Sequence, residues 1–196
     1  MGNEYLSTDT GNDVICSLEL VLESLIKVEN NPNHWKWVVI ALHCAIQGTM
    51  VLHLTGTVFG GAYTQDSIKR FIKWSDSHRI GEKAELHLML ANPFKLFKRL
   101  SDETRSSISE GGIIVTTEKQ HLSFKWLDEL RDGFTHFKDT SWSIEVELLR
   151  GIVKPIIEVI EMIEKRDWAF RHLSDEKKEC LKALINEISL HSSFSK

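Results

Sequence analysis

Apolar residues recur at steps of three and four along most of the chain, which is the spacing of one face of an α-helix. The first such stretch covers residues 13–29, and the second, residues 33–54, is the most apolar of all. Shorter helical patterns follow at residues 66–74 and 82–100, where a proline marks a kink or a break. Three further helical patterns occupy the second half of the chain.

Capping residues indicate where the helices of the second half begin. Thr117 and Gln120 have the spacing of a capping box and predict a helix that carries Arg131. Ser141 or Ser143 is expected to cap the helix that follows.

Signals for β-strands are scarce, and no internal repeat or second domain is visible. The pattern therefore predicts an all-α fold, a single-domain helical bundle of about six or seven helices over residues 1–196. A chain of 196 residues that is 42% hydrophobic can fill one core. Residues 1–12 are expected to form a flexible N-terminus.

Charge and cysteine content narrow the classes of function. A formal net charge of -4 excludes a protein that coats nucleic acid regardless of sequence, so any RNA binding requires local positive charge. The three cysteines are far apart and odd in number, which suggests neither a disulfide framework nor a thiolate metal site and fits a reducing cytosol.

Polar residues interrupt the apolar segment 33–54, so a core helix is expected there and no membrane span. We expect a cytoplasmic protein.

His43 and Gln47 lie one turn apart within that apolar segment. The simpler expectation is a buried polar pair satisfied by hydrogen bonds, and the alternative is contact with a ligand. A heme or metal site that uses His43 or His53 has no partner ligand at a recognisable spacing. No cofactor or metal is therefore expected.

Arg131, Asp132 and His136 form the stretch richest in chemistry. An arginine can hold a phosphate through two parallel hydrogen bonds and neutralise charge on a five-coordinate phosphorus. An imidazole can take the proton of a ribose 2'-hydroxyl or give one to the leaving 5'-oxygen. Asp132 is suited to orienting Arg131 or a histidine, since a carboxylate repels phosphate. Such groups suffice for RNA cleavage without a metal, and they exclude DNA as a substrate.

The five-residue spacing of Arg131 and His136 constrains how they can act. It turns the two side chains to faces about 140° apart on a regular helix. Either the helix loosens near Gly133, or each residue meets its counterpart from a second copy across a two-fold axis. On spacing alone, a surface arginine paired with Asp128 and a histidine near a helix C-terminus is the simpler interpretation. Residues 166–172 contain a second Arg-Asp followed by His, so the spacing by itself is not specific.

Residues 130–137, followed by residues 141–146, resemble the Arg-polar-x-x-x-His region of the HEPN superfamily of higher eukaryote and prokaryote nucleotide-binding domains. Residues 35–47 and 54–57 resemble a bacterial branch of it. The resemblance implies a helical bundle and dimerisation that brings two motifs together. In many members it also implies metal-independent ribonuclease activity in toxin–antitoxin, phage-defence or CRISPR-linked systems.

By this resemblance Arg131 and His136 match the two catalytic residues of the motif, and Asp132 stands at the polar position where asparagine is commonest. We therefore expect a homodimeric ribonuclease or ribonuclease-type toxin, with RNA or a nucleotide as ligand and a cognate antitoxin as partner. The alternative is a non-catalytic helical module that binds a nucleotide, an RNA or a partner protein in the same groove, because the superfamily also contains such members.

Overall fold

Helices account for the architecture. The structure is a computed structural model that describes residues 5–56, 60–79, 86–105, 111–136, 141 and 143–191. This part of the chain contains seven α-helices: α1 (Thr10–Val28), α2 (Trp35–Leu54), α3 (Gln65–Arg79), α4 (Pro93–Leu100), α5 (Glu118–Thr135), α6 (Val146–Glu164) and α7 (Asp175–Ser189). Pairing of extended segments in the same residues is limited to one antiparallel bridge between Tyr63 and Leu90. The prediction of an all-α bundle of six or seven helices is confirmed.

The helix that carries Arg131 begins as its sequence predicts. Thr117 Oγ1 accepts a hydrogen bond from the Gln120 backbone N–H at 3.2 Å, and Gln120 Oε1 accepts one from the Thr117 N–H at 2.9 Å. This reciprocal capping box satisfies two backbone donors at the start of α5. At the start of α1, Asp9 accepts from the Asn12 N–H, so that helix begins three residues earlier than predicted.

The predicted start of α6 is wrong. Helix α6 begins at Val146, and the residue before it, Glu145, makes no side-chain capping bond. The backbone of Glu145 is still extended, with φ -66° and ψ 126°, so the helical conformation starts after it. Ser141 and Ser143 lie too far upstream to accept from the first N–H groups of the helix.

Helix α2 is the centre of the bundle and packs against α1, α4, α5 and α6. The segment Pro32–Leu54 is long and apolar enough to cross a membrane by length and composition, but 61% of its most apolar window is buried inside the fold. Leu42, Ile46 and Met50 are fully buried, as expected for a core helix.

A close approach of α1 to α2 occurs at Gly48. A Cβ atom at this position would lie 2.7 Å from Val14 Cγ2, which is well inside van der Waals contact. Glycine lets the two helices pack at this distance, and the contact helps to fix how α1 lies across the central helix.

Candidate functional site

Helix α5 places the candidate residues near its C-terminal end, where it packs against α2 and α6. The helix continues through Gly133 to Thr135, and the His136 N–H still donates to the Asp132 carbonyl at 2.9 Å. The loosened turn near Gly133 that the spacing argument allowed is therefore absent from this described helix. His136 follows the last helical residue with extended backbone, so the regular-helix angle between Arg131 and His136 does not apply to it. A site shared with a second copy of the chain stays a prediction.

The guanidinium of Arg131 lies between two carboxylates. Its Nη2 is 3.1 Å from Asp128 Oδ1, and its Nη1 is 2.9 Å from Asp132 Oδ1. The Arg131 side chain is 25% exposed, whereas that of Asp132 is 54% exposed. The structure thus contains both the ion pair with Asp128 and a contact by which Asp132 can orient the arginine.

His43 joins this cluster from the core helix. Its Nε2 is 2.8 Å from Asp128 Oδ1 and 3.3 Å from Arg131 Nη2, and its side chain is only 3% exposed. Burial lowers the pKa of His43, and the nearby Arg131 charge lowers it further, against the opposing effect of Asp128. The imidazole is therefore neutral near pH 7, and its Nε2–H donates to the carboxylate.

The charges of the cluster are unbalanced in favour of the carboxylates. One guanidinium and two carboxylates give a local formal charge of -1. Arg131 Nε is buried and has no hydrogen-bond partner among the described residues. A phosphate that approached the exposed part of Arg131 would be attracted by the guanidinium and repelled by the Asp128 and Asp132 carboxylates.

His136 stands apart from the cluster. It is the first residue after α5, its backbone is extended, and it is exposed to solvent. A single copy of the chain therefore brings Asp132 to Arg131 and leaves His136 beyond the end of the helix. Phe137 and Trp142, which belong to the HEPN-like string, lie outside the described residues.

The contact between His43 and Asp128 was not predicted from the sequence. Gln47, the residue expected to pair with His43, is half-buried, and His43 instead contacts Asp128, 85 residues away. The sequence signal for part of this cluster was the spacing of Asp128 and Arg131, which are three residues apart and share one face of α5. The helix that packs on that face could not be identified from spacing.

His53 is a second buried histidine of α2, and its ring contacts a backbone carbonyl group. Its Nε2 lies 3.0 Å from the Gly112 carbonyl oxygen, and burial lowers its pKa. In the described part of the chain, no three histidine, cysteine or acidic side chains are grouped so that they could hold a metal ion.

A cleft of about 410 Å³ opens where α2 begins and α5 ends. The residues that line it include Trp35, which is almost fully buried, Lys36, Phe134, Ile144 and Leu149. The cleft is large enough for a small ligand and combines apolar surface with a cation.

No protein-family model, curated protein or solved structure matches the chain. Membership of the HEPN superfamily therefore stays a prediction from the residues named above.

Proposed function

We propose that the chain is a HEPN-like, metal-independent ribonuclease that acts as a homodimer. The observation that supports this proposal is the placement of Arg131 and His136 at one end of α5, both with access to solvent. Arg131 is held on the helix by Asp128 and Asp132, whereas His136 lies beyond the end of α5, and this separation favours a site to which two copies contribute. A two-fold axis beside this end of α5 would let one copy supply the arginine and the other the histidine.

The chemistry of such a paired site is complete with these side chains. His136 of one copy takes the proton from a ribose 2'-hydroxyl, and the resulting oxygen forms a bond to the adjacent phosphorus. Arg131 of the other copy neutralises charge on the five-coordinate phosphorus. The bond from phosphorus to the 5'-oxygen then breaks, and that oxygen takes the proton back from the imidazolium. The products are a 2',3'-cyclic phosphate and a 5'-hydroxyl.

The cellular role that we propose follows from the resemblance to HEPN proteins. The chain would act on RNA in the cytoplasm, as a toxin or a phage-defence nuclease. A cognate antitoxin would hold it inactive under ordinary growth.

A second candidate function is a non-catalytic module that binds a nucleotide, an RNA or a partner protein. Two observations favour it: Arg131 is already paired with two carboxylates, and a cleft with aromatic and cationic walls lies at the same end of α5. A base could stack on the partly exposed Phe134 ring, and the Lys36 amine, which lies over the Trp37 ring, could turn to contact a phosphate.

The ribonuclease proposal is tested with purified protein and single-stranded RNA in EDTA. We expect wild-type protein to leave 2',3'-cyclic phosphate ends, and His136→Ala to remove cleavage. His172→Ala is the matched control, because His172 belongs to the second, unrelated Arg-Asp-His match and should leave cleavage intact. Absence of cleavage by the wild type, with equal growth when each variant is expressed, would refute the proposal and favour the binding module.

The shared site is tested separately by mixing inactive variants. In a mixed dimer of Arg131→Ala with His136→Ala, one of the two composite sites keeps both residues. Equal mixing with free exchange should therefore restore about a quarter of wild-type activity. Activity that stays at the level of the separate variants would exclude a site shared between copies.

A further inference from the structure

We infer that His43 and Asp128 are positioning residues that hold the Arg131 guanidinium in the candidate site. The effect of these two residues on catalysis rests on the proposed function. Its structural claim, that Arg131 is held from the core through Asp128, can be tested whether or not the protein cleaves RNA.

Both donors of the cluster converge on one carboxylate oxygen. Asp128 Oδ1 receives His43 Nε2 at 2.8 Å and Arg131 Nη2 at 3.1 Å. The 3.3 Å approach of Arg131 Nη2 to His43 Nε2 is a contact between two donors of this carboxylate, because His43 Nε2 carries the proton that it donates to Asp128. Each bond involves an ionised group and is stronger than a bond between neutral partners.

The buried histidine gives the carboxylate a fixed position. The His43 side chain is only 3% exposed and its ring lies stacked near Phe124, with 6.3 Å between ring centroids. A ring packed in this way has little freedom to turn, so the direction of its Nε2–H is fixed by the core. Asp128 therefore links a rigid element, α2, to an arginine that reaches the surface.

The second carboxylate holds Arg131 less firmly. The Asp132 side chain is 54% exposed, and exposed ion pairs contribute little because water and salt screen them. An incoming anion could displace Asp132 while Asp128 keeps the guanidinium in place. The Arg131 Nη1 that Asp132 contacts would then be the nitrogen that donates to a ligand oxygen.

Three variants separate positioning from a general contribution to stability. His43→Phe keeps an aromatic ring in the core but removes the donor to Asp128. His43→Gln replaces the donor with a side-chain amide, and Asp128→Asn keeps the shape of the acceptor without its charge. Asp128→Asn also covers the case in which His43→Phe fails to fold, since the Asp128 side chain is 25% exposed and tolerates a polar replacement.

The readout is the rate at which phenylglyoxal modifies Arg131 in the folded protein, measured by mass spectrometry. Arg150 on α6 is the internal reference, because it has a similar exposure of 29% and its own carboxylate partner, Glu147. We expect the Arg131 rate, relative to Arg150, to rise about fivefold in His43→Phe and Asp128→Asn, since each loses a bond to a charged group. His43→Gln should restore most of the protection.

The same variants are then tested for RNA cleavage. We expect kcat to fall about tenfold or more in His43→Phe and Asp128→Asn, with a smaller change in KM, because a misplaced arginine fails mainly in the transition state. An unchanged Arg131 rate in folded Asp128→Asn would overturn the inference, as would equal reactivity of the Phe and Gln variants. If the wild type cleaves no RNA, the proposed function fails while the modification rates still decide the positioning claim.

Discussion

Asp132→Asn should increase the affinity of the candidate site for a phosphate backbone. Asp132 Oδ1 lies 2.9 Å from Arg131 Nη1, on the exposed side of the guanidinium. A phosphate bound to Arg131 would therefore lie about 5 Å from this carboxylate, and two like charges repel at that distance. Asparagine keeps the size of the side chain and removes the charge.

The size of the gain follows from the exposure of the group. The Asp132 side chain is 54% exposed, so a dielectric constant close to that of water applies. Coulomb's law at about 5 Å then gives about 0.8 kcal/mol for each unit of charge, or about a fourfold lower Kd. The effect should nearly vanish at about 1 M salt, where the screening length is about 3 Å.

The assay is fluorescence anisotropy with a single-stranded 2'-O-methyl oligonucleotide, which binds like RNA but lacks the nucleophile and cannot be cut. Glu129→Gln is the matched control, because it removes one exposed charge from the same helix, and its cation partner is Lys125 at 3.9 Å. Equal gains in both variants would show that only net charge matters. Weaker binding by Asp132→Asn would refute the reasoning and show that Asp132 is needed to hold Arg131 for the ligand.

The remaining predictions concern stability, and urea denaturation measures them in every variant that folds. Gly48→Ala should destabilise the fold, since overpacking costs about 1–3 kcal/mol and exceeds the gain in helix propensity. Gly151→Ala has open space around its Cβ and should stabilise the fold by about 0.5–1 kcal/mol. Gly61→Ala should prevent stable folding, because its Cβ would lie 1.7 Å from a backbone oxygen. The pKa values of His43 and His53 are lowered in the folded protein, so the unfolded chain takes up protons first as the pH falls below about 6.5. The free energy of unfolding should therefore drop by up to about 1.4 kcal/mol for each histidine by pH 5.5. His53→Gln should remove its share, and a pH-independent free energy of unfolding would contradict the last prediction.

The helices were predictable because their signals are local. The apolar spacing of α2 and the capping box of Thr117 and Gln120 depend on residues within a turn or two of each other. The start of α6 was missed for a physical reason: a serine caps a helix only if the next residues turn, and the backbone is still extended at Glu145. Caps therefore locate a helix well only when a second local signal supports them.

The candidate site was predictable only along α5. The positions of Asp128, Arg131 and Asp132 on one helix follow from its periodicity, and their contacts agree with that spacing. The contribution of His43 depends on how α2 packs against α5 and on their relative register. Periodicity shows that two helices each have a buried face, but it does not show which residues meet across the contact.

The geometry also changes the relation between the two interpretations of Arg131. From the sequence, an arginine paired with Asp128 and an arginine that binds phosphate are alternatives. A carboxylate that already pairs with the guanidinium neutralises the positive charge that would attract a phosphate. In the structure Asp128 is fixed by His43 from the core, and it engages one nitrogen of the guanidinium, Nη2. The Nη1 side is held by an exposed carboxylate that an anion can replace. An ion pair arranged in this way is compatible with phosphate binding, since it fixes the arginine through Nη2 and leaves Nη1 for the ligand.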